Sequence, residues 1–563
     1  MKDYQIAFFI KRPLIILLTF LLISSCGEIK KSVEIDRIFS DWNNPNTPGC
    51  ALGIIKDGKL VYARGYGIAN LEYEIPITEN SVFRIASNSK QFTAACIVLL
   101  VEQAKISLDD KLSYYYPEFP DYATKITIRH LLNHTSGIRD YLALAQLKGL
   151  DHNDYYEDFD VMEWLINQND LNFIPGDEYL YSNSGYWLLG QIVNKVSGTD
   201  MAEFAKSELF DPLGMGNTHF HNDHTKIVEN RASGYEPDKN GGYQISMTNL
   251  NMIGDGGIFT TINDMKKWDD AYYDYSILSE EFWSMMTQKG ILNNGDTLSY
   301  ASGLRIETYK GQKTIVHGGG FVGFRSSFVR FPEQKFSVVI FSNRRDANLS
   351  KMSMEVAEIF LIDKLIHRQF DSDNDEVIKK SDTIEFSKEQ ITGHYELDST
   401  SYEVIVKIGI NNDSLFVTQQ WDDSSYYISK VTGNTYQTQT DNSNITFIFS
   451  NLKDGLAQKF KGTHDGINYY YNRRKHFEHS IIDLDEYSGN YYSKELDITY
   501  QLFVKDEKIA ILIGNNTPVV LSVYDTDQML YKLNKLRFDR IRGKISGFEL
   551  DAGRLKNLKF SKI

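Results

Sequence analysis

The sequence predicts an α+β domain followed by two small antiparallel β-barrels. Helical and strand patterns mix between residues 33 and 370, and a polar, acidic stretch follows at 371–385. From residue 386 the chain becomes a series of short alternating strands rich in Tyr, Phe, Ile and Val, separated by Asn, Asp and Gly. The 563 residues allow several domains with a full core each. We therefore expect a first domain at 33–370, a linker at 371–385, and barrels at 386–478 and 479–563.

Strands are expected at both ends of the first domain. Residues 50–55 and 59–64 surround an Asp-Gly turn, which is typical of a hairpin. Residues 328–331 and 336–341 form a second expected hairpin, and the amphipathic segment 352–367 predicts a closing helix. Strands at both ends with helices between them favour a sheet covered by helices on both faces.

The C-terminal part of the chain repeats itself. Thr392–Tyr395 is similar to Ser488–Tyr491, and Ile445–Phe460 is similar to Ile545–Phe560. The offsets of 96 and 100 residues are too long for a solenoid repeat and suit two copies of one small domain. Closure of a sheet into a barrel removes its exposed edges, so two β-barrels are the predicted form.

The N-terminus predicts export and a lipid anchor. Lys11 and Arg12 precede the apolar run 14–23, which is too short to span a bilayer but suits a signal sequence. Two serines then precede Cys26, an arrangement that resembles a bacterial lipoprotein cleavage site. We expect residues 1–25 to be removed and Cys26 to be lipidated, which would hold the protein at a membrane of the cell envelope. An uncleaved anchor or an ordinary secretory signal is the alternative.

Net charge bears on the expected partners, and the context of the cysteines bears on their expected role. The net charge of −15 and the absence of a basic run argue against nucleic acid. Cys50 and Cys96 lie in apolar contexts and are predicted to be small core residues, with a disulfide between them left open in an exported protein.

A serine and a lysine at i and i+3 are the first candidate catalytic residues. Ser87 and Lys90 precede the apolar run 94–101, which has no polar stripe and predicts a helix buried on all sides. The spacing places both side chains on one face. An amine can take the proton of a serine or help another group to take it, and the start of a helix offers free N–H groups to an oxyanion. Ser87 is therefore the predicted nucleophile.

Two further motifs could complete such a site. Tyr181 and Asn183 are predicted to lie on a loop before a helix, where a phenol can act as acid or base and an amide can bind a substrate carbonyl. Farther along, an apolar strand leads through His317 into three glycines. Glycine allows a substrate backbone to approach a strand edge closely, and the Gly320 N–H could share an oxyanion hole with the Ser87 N–H. Alone, the first motif is more typical of a turn, and the second is also typical of a β-bulge with a chance histidine.

Taken together, the motifs from about residue 40 to 345 resemble the penicillin-recognising serine hydrolases, the class C β-lactamase-like family. Ser87-x-x-Lys90 matches the first family motif, Tyr181-Ser-Asn183 the second and His317-Gly-Gly319 the third. Flanking segments at 127–137, 256–268 and 319–324 are also similar to family segments.

The resemblance implies acyl transfer in two steps without a cofactor. The roles it implies are Ser87 as nucleophile, Lys90 and Tyr181 as the proton-transfer pair, Asn183, His317 and Gly319 as substrate-binding residues, and the Ser87 and Gly320 N–H groups as the oxyanion hole. Which of Lys90 and Tyr181 is the base stays open, because the two would titrate as a coupled pair. No metal is expected: His130 and His134 lack the glutamate of a His-Glu-x-x-His site, and their match to a family segment favours a structural role.

The third motif departs from the β-lactamase pattern. Typical β-lactamases carry Lys-Thr-Gly there, and His317 would be cationic only part of the time at neutral pH. A His-x-Gly third motif resembles that of the D-aminopeptidases and related esterase- or peptidase-like hydrolases of the family. The layout of a catalytic domain with two barrels also resembles the D-aminopeptidase arrangement. We therefore expect a hydrolase of small amides or peptides, with D-amino-acid or cell-wall peptides as substrates. A carboxylesterase or weak β-lactamase is the alternative within this site, and a non-catalytic ligand-binding or penicillin-binding protein is the alternative from another class. The oligomeric state is not predicted.

Overall fold

The computed structural model describes residues 30–365, 385–398, 404–419, 424–438, 445–464, 467–475, 483–514, 516–531 and 534–563. Cys26, the predicted signal at 1–25 and nearly all of the predicted linker lie outside these residues. The described chain divides into two compact units. The first holds residues 30–137, 152–161 and 173–365, and the second holds residues 138–151, 162–172 and those from 385 onward. The predicted domain boundaries stay predictions.

All but the last of the described α-helices lie before residue 365, and the last lies just before the first strand of the C-terminal region. They are α1 (30–38), α2 (Lys90–Glu102), α3 (Leu112–Tyr115), α4 (Ile128–Leu132), α5 (Tyr141–Leu147), α6 (Asp158–Ile166), α7 (Asn183–Ser197), α8 (Met201–Ala205), α9 (Ile262–Ala271), α10 (Glu280–Thr287), α11 (Leu349–Leu361) and α12 (Lys388–Ile391).

The first unit is built around one antiparallel sheet. Its strands are β1 (Cys50–Lys56), β2 (Lys59–Tyr66), β3 (Ile68–Asn70), β4 (Ile75–Pro76), β5 (Phe83–Arg84), β6 (His219–Phe220), β7 (Tyr235–Pro237), β8 (Tyr243–Ile245), β9 (Ile258–Thr260), β10 (Arg305–Tyr309), β11 (Gln312–Phe321), β12 (Phe324–Phe331) and β13 (Phe336–Ser342). Six of them form the main sheet in the order β10-β11-β12-β13-β1-β2. Both expected hairpins are present as β1–β2 and β12–β13, and β1 also pairs with β13, so the first and last strands of the sheet in chain order are neighbours.

Helices cover both faces of the sheet because its central strands are apolar on both sides. Cys50, Leu52 and Ile54 of β1 share one buried cluster with residues of α1 and α11. On the opposite face, Gly53 leaves room for Ile262 of α9, since a Cβ built on Gly53 would lie 2.4 Å from the Ile262 Cγ2 atom. This confirms the predicted helix–sheet–helix arrangement. The closing helix begins at Leu349, three residues before the expected start, and ends at Leu361.

The buried helix α2 contains one of the two described cysteines. It spans Lys90–Glu102, and ten of its thirteen residues are buried, as its apolar composition predicts. Cys96 on α2 and Cys50 on β1 are both fully buried free thiols, so no disulfide joins them. Burial raises the pKa of both thiols far above its ordinary value, which makes them inert core residues. Within the described residues, none of the helices is long and apolar enough to cross a membrane.

The second unit begins with a closed barrel of eight antiparallel strands. These are β14 (Gly393–Leu397), β15 (Ile405–Asn411), β16 (Ser414–Gln419), β17 (Ser425–Thr432), β18 (Thr435–Thr438), β19 (Ile445–Lys453), β20 (Leu456–His464) and β21 (Ile467–Arg474). Its interior is filled by the barrel's own side chains, among them Tyr395, Phe447, Phe449 and Phe460. A barrel of this size is therefore a packed core, which argues against a ligand held in its lumen.

A nine-stranded, nearly closed barrel follows. Its strands are β22 (Gly489–Ser493), β23 (Ile498–Lys505), β24 (Lys508–Ile513), β25 (Val519–Val520), β26 (Ser522–Asp525), β27 (Gln528–Tyr531), β28 (Asn534–Ile541), β29 (Lys544–Ala552) and β30 (Leu555–Lys562). They are ordered β25-β24-β23-β22-β30-β29-β28-β27-β26. Two barrels are thus confirmed, of which only the first is fully closed.

The sequence repeat corresponds to one structural device used twice. Each barrel starts with a glycine of positive φ, at 138° for Gly393 and 147° for Gly489. Two residues later, the Tyr395 hydroxyl donates to the Ile391 oxygen at 2.9 Å, and the Tyr491 hydroxyl donates to the oxygen four residues before it at 2.7 Å. Each copy therefore ties its first strand back to the segment that enters it.

The second unit also includes two segments from the middle of the chain. Arg139, just before α5, donates to the Glu495 carboxylate, and both side chains are nearly inaccessible to solvent. Its guanidinium also donates to the oxygens of Gln168 at 2.8 Å, Lys556 at 3.0 Å and Asn557 at 3.1 Å. A planar group with five N–H donors suits this convergence of acceptors. One buried arginine therefore joins segments 138–151 and 162–172 to the second barrel.

Candidate active site

Ser87 lies in a tight 3-10 turn, Ala86–Ser89, which we call the nucleophile turn and which leads directly into α2. Ala86 has φ 49°, a left-handed conformation that costs a residue with a side chain about 1–3 kcal/mol and that recurs at functional sites. The turn is held by its neighbour Ile85, whose oxygen accepts from the Ser326 hydroxyl at 2.7 Å. Ser87 is half-buried between buried neighbours, so its hydroxyl is held on a rigid turn.

Lys90 joins the first and second sequence motifs. Its side chain is fully buried, and Nζ lies 3.2 Å from Ser87 Oγ, 2.9 Å from Asn183 Oδ1 and 2.5 Å from the Asp255 oxygen. The last two oxygens can only accept, so they take two N–H groups of Lys90. Toward Ser87, Nζ can present a donor in the ammonium form or a lone pair in the neutral amine. The geometry therefore lets Lys90 take the Ser87 proton, and the choice of base between Lys90 and Tyr181 stays open.

Asn183 is the first residue of α7 rather than a loop residue, which corrects the expectation for this motif. Its helical position fixes the amide toward Lys90, and the side chain is only 5% exposed. Tyr181 lies on the loop just before it, half-buried, with its ring centroid 4.9 Å from Lys90 Nζ. A cation over an aromatic face is attracted by the ring electrons. Tyr181, Asn183 and Ser87 therefore meet around one amine.

The glycine-rich part of β11 packs directly on the nucleophile turn. A Cβ built on Gly319 would lie 2.9 Å from the Ser87 nitrogen and closer still to the Ile85 oxygen, so only glycine fits here. Strand β10 pairs with β11 only as far as Val316, so within the described residues the stretch from His317 to Phe321 has a neighbouring strand on one side only. An open strand edge beside Ser87 suits a substrate backbone. The oxyanion role of Gly320, the next residue on this edge, stays a prediction.

His317 is buried and neutral. Its Nδ1–H donates to the Gly318 oxygen at 2.6 Å, and Nε2 lies 3.0 Å from the Tyr300 hydroxyl, which donates to it. Burial and then the charge of Lys90 lower the pKa of His317 to about 3. The expectation of a part-time positive charge at this position is therefore wrong, because the sequence does not show how completely the ring is buried. A substrate-binding role for His317 stays a prediction.

Three residues near the site were not assigned catalytic roles from the sequence. Tyr300 and Asp255 belong to no motif, and nothing in their neighbourhood distinguishes them from core or loop residues. His134 lies in a segment similar to the family, and that match favours a structural role. Its ring centroid lies 4.2 Å from that of Tyr181 and 4.6 Å from that of Tyr300.

His130 and His134 both accept hydrogen bonds from the backbone. His130 Nδ1 accepts from the Thr127 backbone in the capping box of α4, and His134 Nδ1 accepts from the Ser182 backbone, both at 3.2 Å. Among the described residues, no group of three or more His, Cys, Asp or Glu is arranged to hold a metal ion.

Comparison with known proteins places this site in a family. A family profile described as Beta-lactamase matches residues 35–359. A penicillin-binding protein of Bacillus subtilis (strain 168) is 30% identical over 319 residues, which cover 54% of this chain and 70% of that protein. A D-aminopeptidase of Gluconobacter oxydans (strain 621H) is 28% identical over 300 residues, which cover 53% of this chain and 56% of that protein.

The same fold occurs in solved structures. The octameric penicillin-binding protein homologue from Pyrococcus abyssi aligns with 78% of this chain and 99% of its own, with a TM-score of 0.55 and 24% identity. The chain spans just over half the length of the D-aminopeptidase relative, and the family profile covers more than half of the chain. The chain therefore belongs to the Beta-lactamase family and is a serine hydrolase of that family.

Proposed function

We propose that this protein hydrolyses a small amide or peptide bond, with D-aminoacyl compounds as the preferred class, through an acyl-enzyme on Ser87. The observation that carries the proposal is the position of Lys90 Nζ between Ser87 Oγ and Asn183 Oδ1. A nucleophile and a proton acceptor within hydrogen-bond reach, oriented by a third group, are the minimum for nucleophilic catalysis.

The reaction proceeds in two steps. The Ser87 oxygen bonds to the substrate carbonyl carbon while its proton passes to the Lys90–Tyr181 pair. The oxyanion then accepts from the Ser87 and Gly320 N–H groups, and collapse expels the amine, which takes the proton. Water attacks the acyl carbon, gives a proton to the same pair, and the ester bond breaks as the Ser87 hydroxyl is restored. Loss of one oxyanion donor typically costs about 10²–10³ in rate.

The substrate preference is supported by the neutral third motif. A β-lactam or a C-terminal peptide carries a carboxylate that a fixed cation would bind. His317 supplies no such cation, because its pKa of about 3 leaves it neutral and both ring nitrogens bond within the protein. An amide or ester without a carboxylate at that position avoids leaving an unpaired charge in a buried site. The D-aminopeptidase relative is consistent with this choice.

The proposal is tested by labelling and turnover. A fluorophosphonate probe should label the wild-type protein and not Ser87→Ala. Ser89→Ala serves as the matched control, because Ser89 lies in the same turn as Ser87. Its hydroxyl accepts from the Ile258 backbone and touches no proposed reactant. Turnover of D-aminoacyl p-nitroanilides should exceed that of the L-isomers, p-nitrophenyl esters and nitrocefin. If the probe still labelled Ser87→Ala, Ser87 would be excluded as the nucleophile. If esters were turned over fastest, the carboxylesterase alternative would be favoured.

We also propose that the protein is exported and anchored through a lipid on Cys26, which would place it beside cell-wall peptides. This rests on the apolar run 14–23 and the residues before Cys26 alone. Mass spectrometry of the N-terminal peptide should find an acylated Cys26 in the wild-type protein and none in Cys26→Ser. An unmodified N-terminus in the wild-type protein would contradict the anchor.

A further inference from the structure

His134 has a backbone conformation that residues with side chains rarely adopt. It follows the end of α4 with φ 58° and is only 1% exposed. Glycine would accept this conformation at less cost. A residue held in it at a cost of about 1–3 kcal/mol points to a requirement for its side chain.

The contacts of His134 hold the chain on both sides of Tyr181. Its backbone oxygen accepts from the Leu180 N–H at 3.0 Å, and its Nδ1 atom accepts from the Ser182 N–H at 3.2 Å. Between these two bonds, the His134 ring lies against the Tyr181 ring with 4.2 Å between centroids and 36° between planes. One residue therefore fixes the backbone before Tyr181, the backbone after it and the face of its ring. The adjoining Thr135 oxygen extends this attachment by accepting from Gly176 at 2.8 Å.

The hydrogen bond to Ser182 also determines the tautomer of His134. An Nδ1 atom that accepts an N–H carries no hydrogen, so the ring proton is on Nε2 and the ring is neutral in this arrangement. His134 thus adds no charge to the one that Lys90 Nζ brings to the Tyr181 ring at 4.9 Å. It orients the phenol without competing for the proton that the phenol is proposed to carry.

We propose that His134 is a positioning residue for acyl transfer, which holds Tyr181 in place for proton transfer at Ser87. The inference rests on the proposed function, since it requires Tyr181 to be one of the proton-transfer groups. A displacement of about 1 Å of a reacting group can cost on the order of 100-fold in rate, so a loosened Tyr181 loop should lower kcat without a comparable change in KM.

Two substitutions separate the hydrogen bond from the ring. His134→Phe keeps an aromatic ring beside Tyr181 but has no acceptor for the Ser182 N–H. His134→Asn keeps an acceptor close to the position of Nδ1 and tolerates positive φ, but has no ring. With rates expressed per fluorophosphonate-titrated active site, His134→Phe should lower kcat by about 30- to 100-fold with KM within about twofold, and His134→Asn should retain more of kcat than His134→Phe.

A double-mutant cycle with Tyr181→Phe tests whether His134 acts through the phenol. If it does, the loss caused by His134→Phe should disappear in the Tyr181→Phe background. An undiminished loss there, or an unchanged kcat in His134→Phe alone, would overturn the inference. If His134→Phe yields no titratable sites, the cycle is run with His134→Asn, whose loss of kcat should likewise disappear in the Tyr181→Phe background.

Failure of the underlying proposal looks different. If Tyr181→Phe by itself leaves kcat unchanged, the role of Tyr181 is overturned together with that of His134. If Tyr181→Phe lowers kcat and His134→Phe does not, only the positioning role of His134 is overturned.

Discussion

Two buried cations in this protein are bonded in different ways. In the second unit, Arg139 forms an ion pair with Glu495 and donates further hydrogen bonds to the oxygens of Gln168, Lys556 and Asn557. In the candidate active site, Lys90 forms hydrogen bonds with the Ser87 hydroxyl, the Asn183 amide oxygen and the Asp255 backbone oxygen. Both side chains are fully buried.

The difference separates a cation that joins segments of the second unit from a cation that lies among the groups proposed to react. A buried charge with a carboxylate partner is costly to disrupt, because removal of either partner leaves the other uncompensated. A buried amine bonded to neutral oxygens retains its influence on nearby titratable groups, and such groups concentrate at functional sites. The charge of Lys90 acts in this way on His317, where it is the second cause of the low pKa after burial.

Replacement of Lys90 should have the largest effect on activity. Lys90→Met should lower kcat by about 10²–10⁴-fold, the range that positioned acid–base groups contribute. Its free energy of unfolding should change by less than about 2 kcal/mol, because the loss of a buried charge offsets the loss of the hydrogen bonds that Lys90 donates to Asn183 and Asp255. Single-turnover acylation and urea unfolding measure the two quantities. If Lys90→Met lowered stability but not the acylation rate, Lys90 would have the structural role that is assigned here to Arg139.

Replacement of Arg139 should show the opposite pattern. Arg139→Met should lower the free energy of unfolding by about 3–5 kcal/mol, since it leaves the Glu495 carboxylate buried without its partner. The value of kcat per titrated active site should stay within about twofold, because no proposed step uses Arg139. Arg139→Met/Glu495→Gln should recover part of the stability.

Arg129→Met is the matched control for Arg139. Arg129 pairs with Asp109 at 3.1 Å, but their side chains are 42% and 72% exposed. Its loss should cost less than about 1 kcal/mol. If urea unfolding gave the same loss of free energy for Arg129→Met and Arg139→Met, burial of the Arg139 pair would add nothing to its contribution to stability.

A further expected effect concerns the pH dependence of stability. The pKa of His317 is about 3 in the folded protein, whereas its ordinary value is 6.5. Between pH 3 and pH 6.5, His317 therefore binds a proton in the unfolded chain but not in the folded protein. The contribution of His317 to the free energy of unfolding is therefore complete above pH 6.5. It falls by about 1.4 kcal/mol per pH unit as the pH drops toward 3. His317→Gln should remove that slope, and Lys90→Met should raise the His317 pKa and narrow the window. Urea unfolding between pH 4.5 and 7.5 measures it, and equal slopes for His317→Gln and the wild-type protein would contradict a buried neutral ring.

The parts of the site that could be predicted are those with a local signal. Ser87 and Lys90 lie one helical turn apart before an apolar run, and the glycines from Gly318 onward interrupt a strand, so each feature can be interpreted from its neighbours alone. The contact of His134 with Tyr181 and that of Tyr300 with His317 have no such signal. They join residues whose proximity results from the packing of separate elements, and aromatic residues are far more often plain core.

The sequence by itself determined which elements form and in what order: hairpins from alternating apolar residues, a buried helix after Ser87, and two copies of one barrel from a repeat of about 100 residues. Tertiary structure alone decided the charge of His317, the three oxygens around Lys90 and the inclusion of Arg139 in the second unit. Periodicity and turn chemistry act between near neighbours in the chain and are therefore visible in the sequence. Desolvation and hydrogen-bond partners depend on which distant segments surround a group, and only the folded chain brings those segments together.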